Sequence, residues 1–140
     1  MEKEEKNRKV QEKYLYLQQL RNDSETVQSR INEVENAKNE LDSTIESLEY
    51  FKSLDGKVEA LMNLGGGVFA YVDVKESRKM LCDVGGGVVM EKEVKDAIES
   101  LKERRENLKK SISDLENTFD QIANEAEKIQ QELAELAREE

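Results

Sequence analysis

The chain has 140 residues, 39% of them charged and 36% hydrophobic, with a net charge of −10 and no Trp, Pro or His. That balance leaves little material for a compact core, and the acidic excess excludes the basic face that nucleic acid or an anionic membrane would need. Lacking histidine, the chain also lacks the commonest acid–base and metal side chain, and its lone cysteine, Cys82, rules out an internal disulfide framework.

From Val10 to Lys52 the apolar spacing alternates three and four without a slip. One row reads Val10, Leu17, Ser24, Ile31, Lys38, Ile45, Lys52; the other reads Lys13, Leu20, Val27, Val34, Leu41, Leu48. Most of these positions are apolar and most of the remaining surface is charged or amide, which is a coiled-coil seam. The spacing predicts a helix from Glu4 to Ser53, roughly 75 Å long at ~1.5 Å per residue. Gly56 is the expected stop, because glycine accepts the left-handed conformation that ends helices. Disorder, the default for so charged a chain, is excluded by this periodicity.

Residues 57–64 switch to period two, and Val68, Ala70, Val72 and Val74 then alternate against Phe69, Tyr71 and Asp73. Two strands joined by Gly65, Gly66 and Gly67 make a hairpin. After a polar connector at 75–79, the arrangement repeats around Gly85, Gly86 and Gly87, with Cys82 expected at a buried strand position. Leu61 falls on Leu81, each glycine triplet on the other, and Val68 on Val88, at an offset of 20 residues. The hairpins are an internal duplication.

A second helix begins near Val94 with a cleaner seam: Val94, Leu101, Leu108, Leu115, Ile122, Ile129 and Leu136 in one row, Ile98, Arg105, Ile112, Phe119, Ala126 and Leu133 in the other. The expected organisation is a single subunit over 1–140, with a coiled-coil helix at 1–54, two hairpins at 55–93 and a second coiled-coil helix at 94–140. Helices of matched length joined by a short β segment fold back as an antiparallel pair. One register sets Leu48 against Ile98, Ile45 against Leu101 and Leu17 against Ile129; a shift of one heptad is the alternative. In the first, Lys38 and Arg105 occupy neighbouring layers and snorkel toward Glu35, Glu40, Glu103 or Glu106.

Isolated hairpins are marginal in water, and these would expose strand edges and apolar side chains. Pairing with hairpins of other subunits is the simplest remedy. The candidate assembly residues are Val58, Leu61, Leu64, Val68, Phe69, Tyr71, Val72, Leu81, Val84, Val88 and Val89. Tyr50 and Phe51 lie off the seam beside the hairpins, either as local packing or as an intersubunit contact. Tyr14, Leu15 and Tyr16 also lie off the seam, beside Val10 and Leu17. They either bind exposed hydrophobic segments of a partner or broaden the helix interface.

Nothing here reads as an enzyme. The run Gly65–Ala70 matches G-x-G-x-x-A, but a dinucleotide site needs those glycines to open a helix, and the following residues are β-branched and aromatic. No Gly-Lys-Ser/Thr follows as a phosphate loop would require, and no metal-ligand spacing is present. No catalytic residue, metal or cofactor is expected. The charged start Met1-Glu2-Lys3-Glu4-Glu5 is not a signal peptide and no apolar run approaches about 18 residues, so a cytoplasmic location is expected.

The order helix, two glycine-looped hairpins, helix resembles prefoldin, specifically its alpha class. The resemblance rests on Glu59–Phe69 (EALMNLGGGVF) and Val84–Lys92 (VGGGVVMEK), followed by Asp96-Ala97-Ile98, and it covers essentially the whole chain. Asn63 stands where the family usually has Pro, and Glu93 where a Ser cap is common. The resemblance implies hairpins assembled into a β-barrel platform with projecting coiled-coil arms. It also implies ATP-independent holding of unfolded proteins at distal tips, here Val10, Tyr14, Leu15, Tyr16, Leu17, Ile129, Leu133 and Leu136, and delivery to a group II chaperonin. The implied partners are beta-class prefoldin subunits in a hetero-hexamer, or further copies of this chain, as in the divergent archaeal gamma type that forms filaments. A coiled-coil scaffold without client binding is the rival of a different class.

Overall fold

The structure, a computed structural model, describes residues 2–55 and 57–139. Helix α1 spans Glu2–Ser53 and α2 spans Val94–Arg138; between them lie β1 (Val58–Gly65), β2 (Val68–Val74), β3 (Lys79–Gly85) and β4 (Val88–Glu93). Two long helices and two antiparallel hairpins make the mostly helical α+β class that the periodicities predict. Gly56, the expected helix stop, lies outside the described residues. The chain divides into two compact units, one built from the chain up to Ala37 and from Leu108 onward, the other from Lys38–Asn107.

The first unit is a two-helix seam. Leu17, Leu20 and Ile129 are buried together, with Ile122, Ala126 and Leu133 packed against them. Lys13 Nζ donates to Glu132 Oε2 across the helices. Both observations fit the register that sets Leu17 against Ile129. Lys13, a basic residue in the apolar row, is thereby matched by a carboxylate on the opposite helix. Glu132 is held below its ordinary pKa by that hydrogen bond, which outweighs the opposing effect of partial burial.

In the second unit Ile45, Val94 and Ile98 are buried together, with Leu48, Met80 and Leu101 packed against them. Ile98 keeps only 3% of its surface exposed, a burial worth roughly 2 kcal/mol. At the last turn of α1 the inward position passes from Lys52, which is exposed, to Phe51, which is half-buried. The Phe51 ring meets Tyr50 edge-on at 6.1 Å.

The connector between the hairpins ties this unit together. Ser77, fully buried, donates from Oγ to the Leu54 carbonyl at 3.4 Å, and the Val94 amide donates to the Arg78 carbonyl at 2.7 Å. A helix start leaves its first amides without intrahelical partners. Here the Arg78 carbonyl supplies one, which explains how α2 begins after Glu93 without a serine cap.

Each hairpin is a separate two-stranded sheet. β1 pairs β2 from Val58↔Val74 to Gly65↔Val68, and β3 pairs β4 from Lys79↔Glu93 to Gly85↔Val88. At both tips the central residues have positive φ: +59° and +79° at Gly66 and Gly67, +60° and +79° at Gly86 and Gly87. Positive φ at both centres is what a tight hairpin turn of primed type demands. No neighbouring atom would crowd a Cβ at these positions, so backbone conformation alone selects glycine. Beside each turn the register shifts by a bulge, which a side chain closes: Asn63 Oδ1 accepts from the Gly65 amide at 2.8 Å, and Asp83 Oδ1 from the Gly85 amide at 2.9 Å. Such a two-residue Asx closure locks the turn. It gives Asn63 a positive structural role in the place where the family favours proline.

Candidate interaction surfaces

In the second unit the hairpins present two unlike faces. Val58, Ala60, Ala70, Val72 and Val74 are half-buried, as are Met80, Cys82 and Lys92. Strand alternation puts their neighbours on the opposite face. There Leu61 stands across from Tyr71, which is 91% exposed, and Leu81, 76% exposed, across from Glu91. Phe69 and Val89 complete the same faces, and Leu64, Val68, Val84 and Val88 are exposed near the turns. Val58 and Val72 thus face inward, while the other proposed assembly residues are open to solvent. Cys82, on the inward face, is half-buried rather than buried.

Among the tip residues singled out in the first unit, Tyr14, Leu15 and Tyr16 form one exposed run, Leu15 reaching 68%. Leu17 and Ile129 lie buried in the seam, and Val10, Leu133 and Leu136 are half-buried along it. A ligand could reach the first three with the seam closed, whereas Leu17 and Ile129 become available only if the helices part. The exposed three are adjacent to the buried cluster and continue it outward through Leu17.

Charge is organised around one acidic residue that the spacing did not point to. Asp42 accepts from Lys38 Nζ at 3.3 Å and from Arg105 Nη1 at 3.2 Å, so two of the cations that interrupt the seam converge on a single carboxylate. The expected glutamate partners missed it because Asp42 lies four residues from Lys38 on one helix face and also flanks the seam toward Arg105. Partial burial pushes the Asp42 carboxyl up, but hydrogen bonds from Arg105 and Lys38, together with their charges, hold it below the usual aspartate value. Arg105 Nε is buried without a partner. The sites missed by spacing alone, Asp42, Ser77 and the Asn63/Asp83 pair, are all short polar side chains. Only the last left a signal, namely an Asx residue two places before each glycine triplet.

Among the described residues no three Cys, Asp or Glu side chains gather as metal ligands would, and no helix is long and apolar enough to cross a membrane. Exposed large apolar side chains gather on the hairpins and in the Tyr14–Tyr16 run.

Comparison with known proteins gives these surfaces a context. A family model described as prefoldin subunit matches residues 20–139. Prefoldin subunit alpha of Archaeoglobus fulgidus is 58% identical over 97 residues, covering 69% of this chain and 71% of that protein. Prefoldin subunit alpha of Methanocorpusculum labreanum is 41% identical over 71 residues, 51% of this chain and 48% of the relative. A cryo-EM structure of filamentous PFD from Methanocaldococcus jannaschii shares the fold with a TM-score of 0.70 at 17% identity, over 81% of this chain and 93% of that one. The chain belongs to the prefoldin family.

Proposed function

We propose that this chain is the alpha-type subunit of a cytoplasmic, ATP-independent holdase. It binds unfolded proteins at its coiled-coil tips and passes them to a group II chaperonin, acting without catalysis. The observation that carries this reading is the exposed run Tyr14, Leu15 and Tyr16 on a seam that is already closed by Leu17, Leu20 and Ile129. Adjacent large apolar side chains cost solubility unless they serve a contact. An open apolar patch suits clients of many sequences, and several weak patches held on one platform gain avidity. The exposed hairpin faces supply that platform by pairing with beta-class subunits in a hetero-hexamer.

The test is suppression of aggregation of a chemically denatured protein, without nucleotide, by the assembled subunits. The Tyr14→Ser, Leu15→Ser, Tyr16→Ser triple variant should lose the suppression while keeping its helical circular dichroism. Unchanged suppression would reject the tip as the client site, and none from the wild type would favour a structural scaffold. A second reading is self-assembly into filaments through the hairpins, which draws support from unpaired strand edges and from the filamentous relative.

A further inference from the structure

The two hairpins are duplicates, yet their inward faces differ in charge at one matched position. The offset that sets Leu61 on Leu81 also sets Val72 on Lys92. Ala60 pairs with Val72 in the first hairpin, and Met80 pairs with Lys92 in the second. Val72 and Lys92 are both half-buried, so a cation occupies a place that its duplicate fills with an apolar side chain.

Lys92 lines a cavity of about 430 Å³ within the second unit, walled by β3, β4 and both helices. That volume lies in the range of small-molecule sites, roughly 300–1,000 Å³. Leu48, Met80, Ala97 and Leu101 make its apolar wall. Three of these four pack on the buried Ile45, Val94 and Ile98, so the wall is held by the core. Arg104 lines the same cavity. Among the described residues neither Lys92 nor Arg104 forms an ion pair, whereas the cations flanking Arg104 on α2 do. Lys102 meets Glu49 at 3.3 Å and Arg105 meets Asp42 at 3.2 Å. Asp83, the one carboxylate lining the cavity among the described residues, already accepts from the Gly85 amide. With 32 acidic and 22 basic residues in the chain, two cations left without a carboxylate on one cavity run against the composition.

We infer that this cavity is a binding site for a small anionic amphiphile. Its alkyl chain lies against Leu48, Met80, Ala97 and Leu101, and its carboxylate or phosphate is held by Lys92 and Arg104. Covering the apolar wall supplies affinity. Charge-assisted hydrogen bonds from the two cations orient the ligand and select an anion over a neutral or cationic headgroup. The site is independent of the client-holding reading, because it uses neither the Tyr14–Tyr16 surface nor the outer hairpin faces.

Cys82 is the chain's one thiol and lines the same cavity, which makes it a reporter of occupancy. The experiment uses the full chain and follows alkylation of Cys82 by iodoacetamide with mass spectrometry. The probes are decanoate, decyl phosphate, decanol and decyltrimethylammonium, each below its micelle concentration. Decanoate or decyl phosphate at about ten times its calorimetric dissociation constant should slow alkylation about tenfold, since only the empty cavity exposes the thiol. Decanol should protect far more weakly and decyltrimethylammonium not at all. The anion that protects at the lower concentration identifies the headgroup. Lys92→Val with Arg104→Gln, which gives the second hairpin the residue of the first, should weaken decanoate binding at least about tenfold. Lys92→Arg should keep it. Circular dichroism checks that each variant and each ligand mixture is folded.

Protection by neither anion, or equal protection by the cationic amphiphile, would overturn the inference on the wild type alone. A folded Lys92→Val, Arg104→Gln variant that decanoate protects as well as the wild type would overturn it too.

Discussion

The seam and the hairpins spend the same kinds of side chain in opposite ways. Leu17 in the seam keeps 4% of its surface exposed, while Leu81 on its hairpin keeps 76%. The difference lies in what each element has to pack against within one chain. A heptad helix finds its complement in the second helix, whereas each hairpin is a two-stranded sheet with one face covered and both edges free. A single chain therefore completes its coiled coil and leaves its β segment unfinished. That asymmetry is what a subunit of an assembly needs.

The contrast breaks most visibly if the seam is cut. Ile98→Ala should destabilise the chain alone by about 3 kcal/mol, read as a lower denaturant midpoint, because the removed atoms leave a cavity. Leu81→Ala should leave that midpoint within about 0.5 kcal/mol while weakening assembly. A smaller effect is expected at the turns. Gly66→Ala places a side chain at φ +59° and should cost about 1 kcal/mol, read from the assembled protein's melting. Asn63→Ala and Asp83→Ala should each cost roughly 1 kcal/mol through loss of the bulge closure, with equal effects if the two hairpins are equivalent.

The smallest expected effect concerns acid. Asp42 and Glu132 both have lowered pKa values, so the stability they contribute is present above their unfolded values and is lost as pH falls through the lowered folded ones. Melting of the chain alone should therefore decline below about pH 4, and Asp42→Asn should flatten part of that decline. Both carboxylates are partly exposed, so salt should reduce the effect.

Periodicity carried most of the fold. The three–four alternation marks both helices, the period-two runs mark the strands, and the repeated glycine triplets mark the turns. It could not say which carboxylate answers Lys38 and Arg105, since choosing Asp42 over nearby glutamates depends on side-chain reach across two helices. Nor could it foresee Ser77, whose burial follows from the connector folding against Leu54 and Val94. Phe51 replacing Lys52 reflects the arrival of the hairpins, which ends the strict heptad. For the interaction surfaces, the heptad rows already separate Tyr14, Leu15 and Tyr16, off the seam, from Leu17 and Ile129 within it, and the structure adds that the first three are exposed and the other two buried.

The central claim is a division of labour: hairpin apolar surface assembles subunits, and the Tyr14–Tyr16 surface holds clients. Its most direct test compares two variants in one experiment, mixing each with beta-class subunits and measuring particle mass and aggregation suppression on the same samples. Serine at Tyr14, Leu15 and Tyr16 should preserve the assembled mass and abolish suppression, while serine at Leu61, Tyr71 and Leu81 should abolish the assembled mass. A first variant that still suppresses aggregation, or a second that still assembles, would contradict the account.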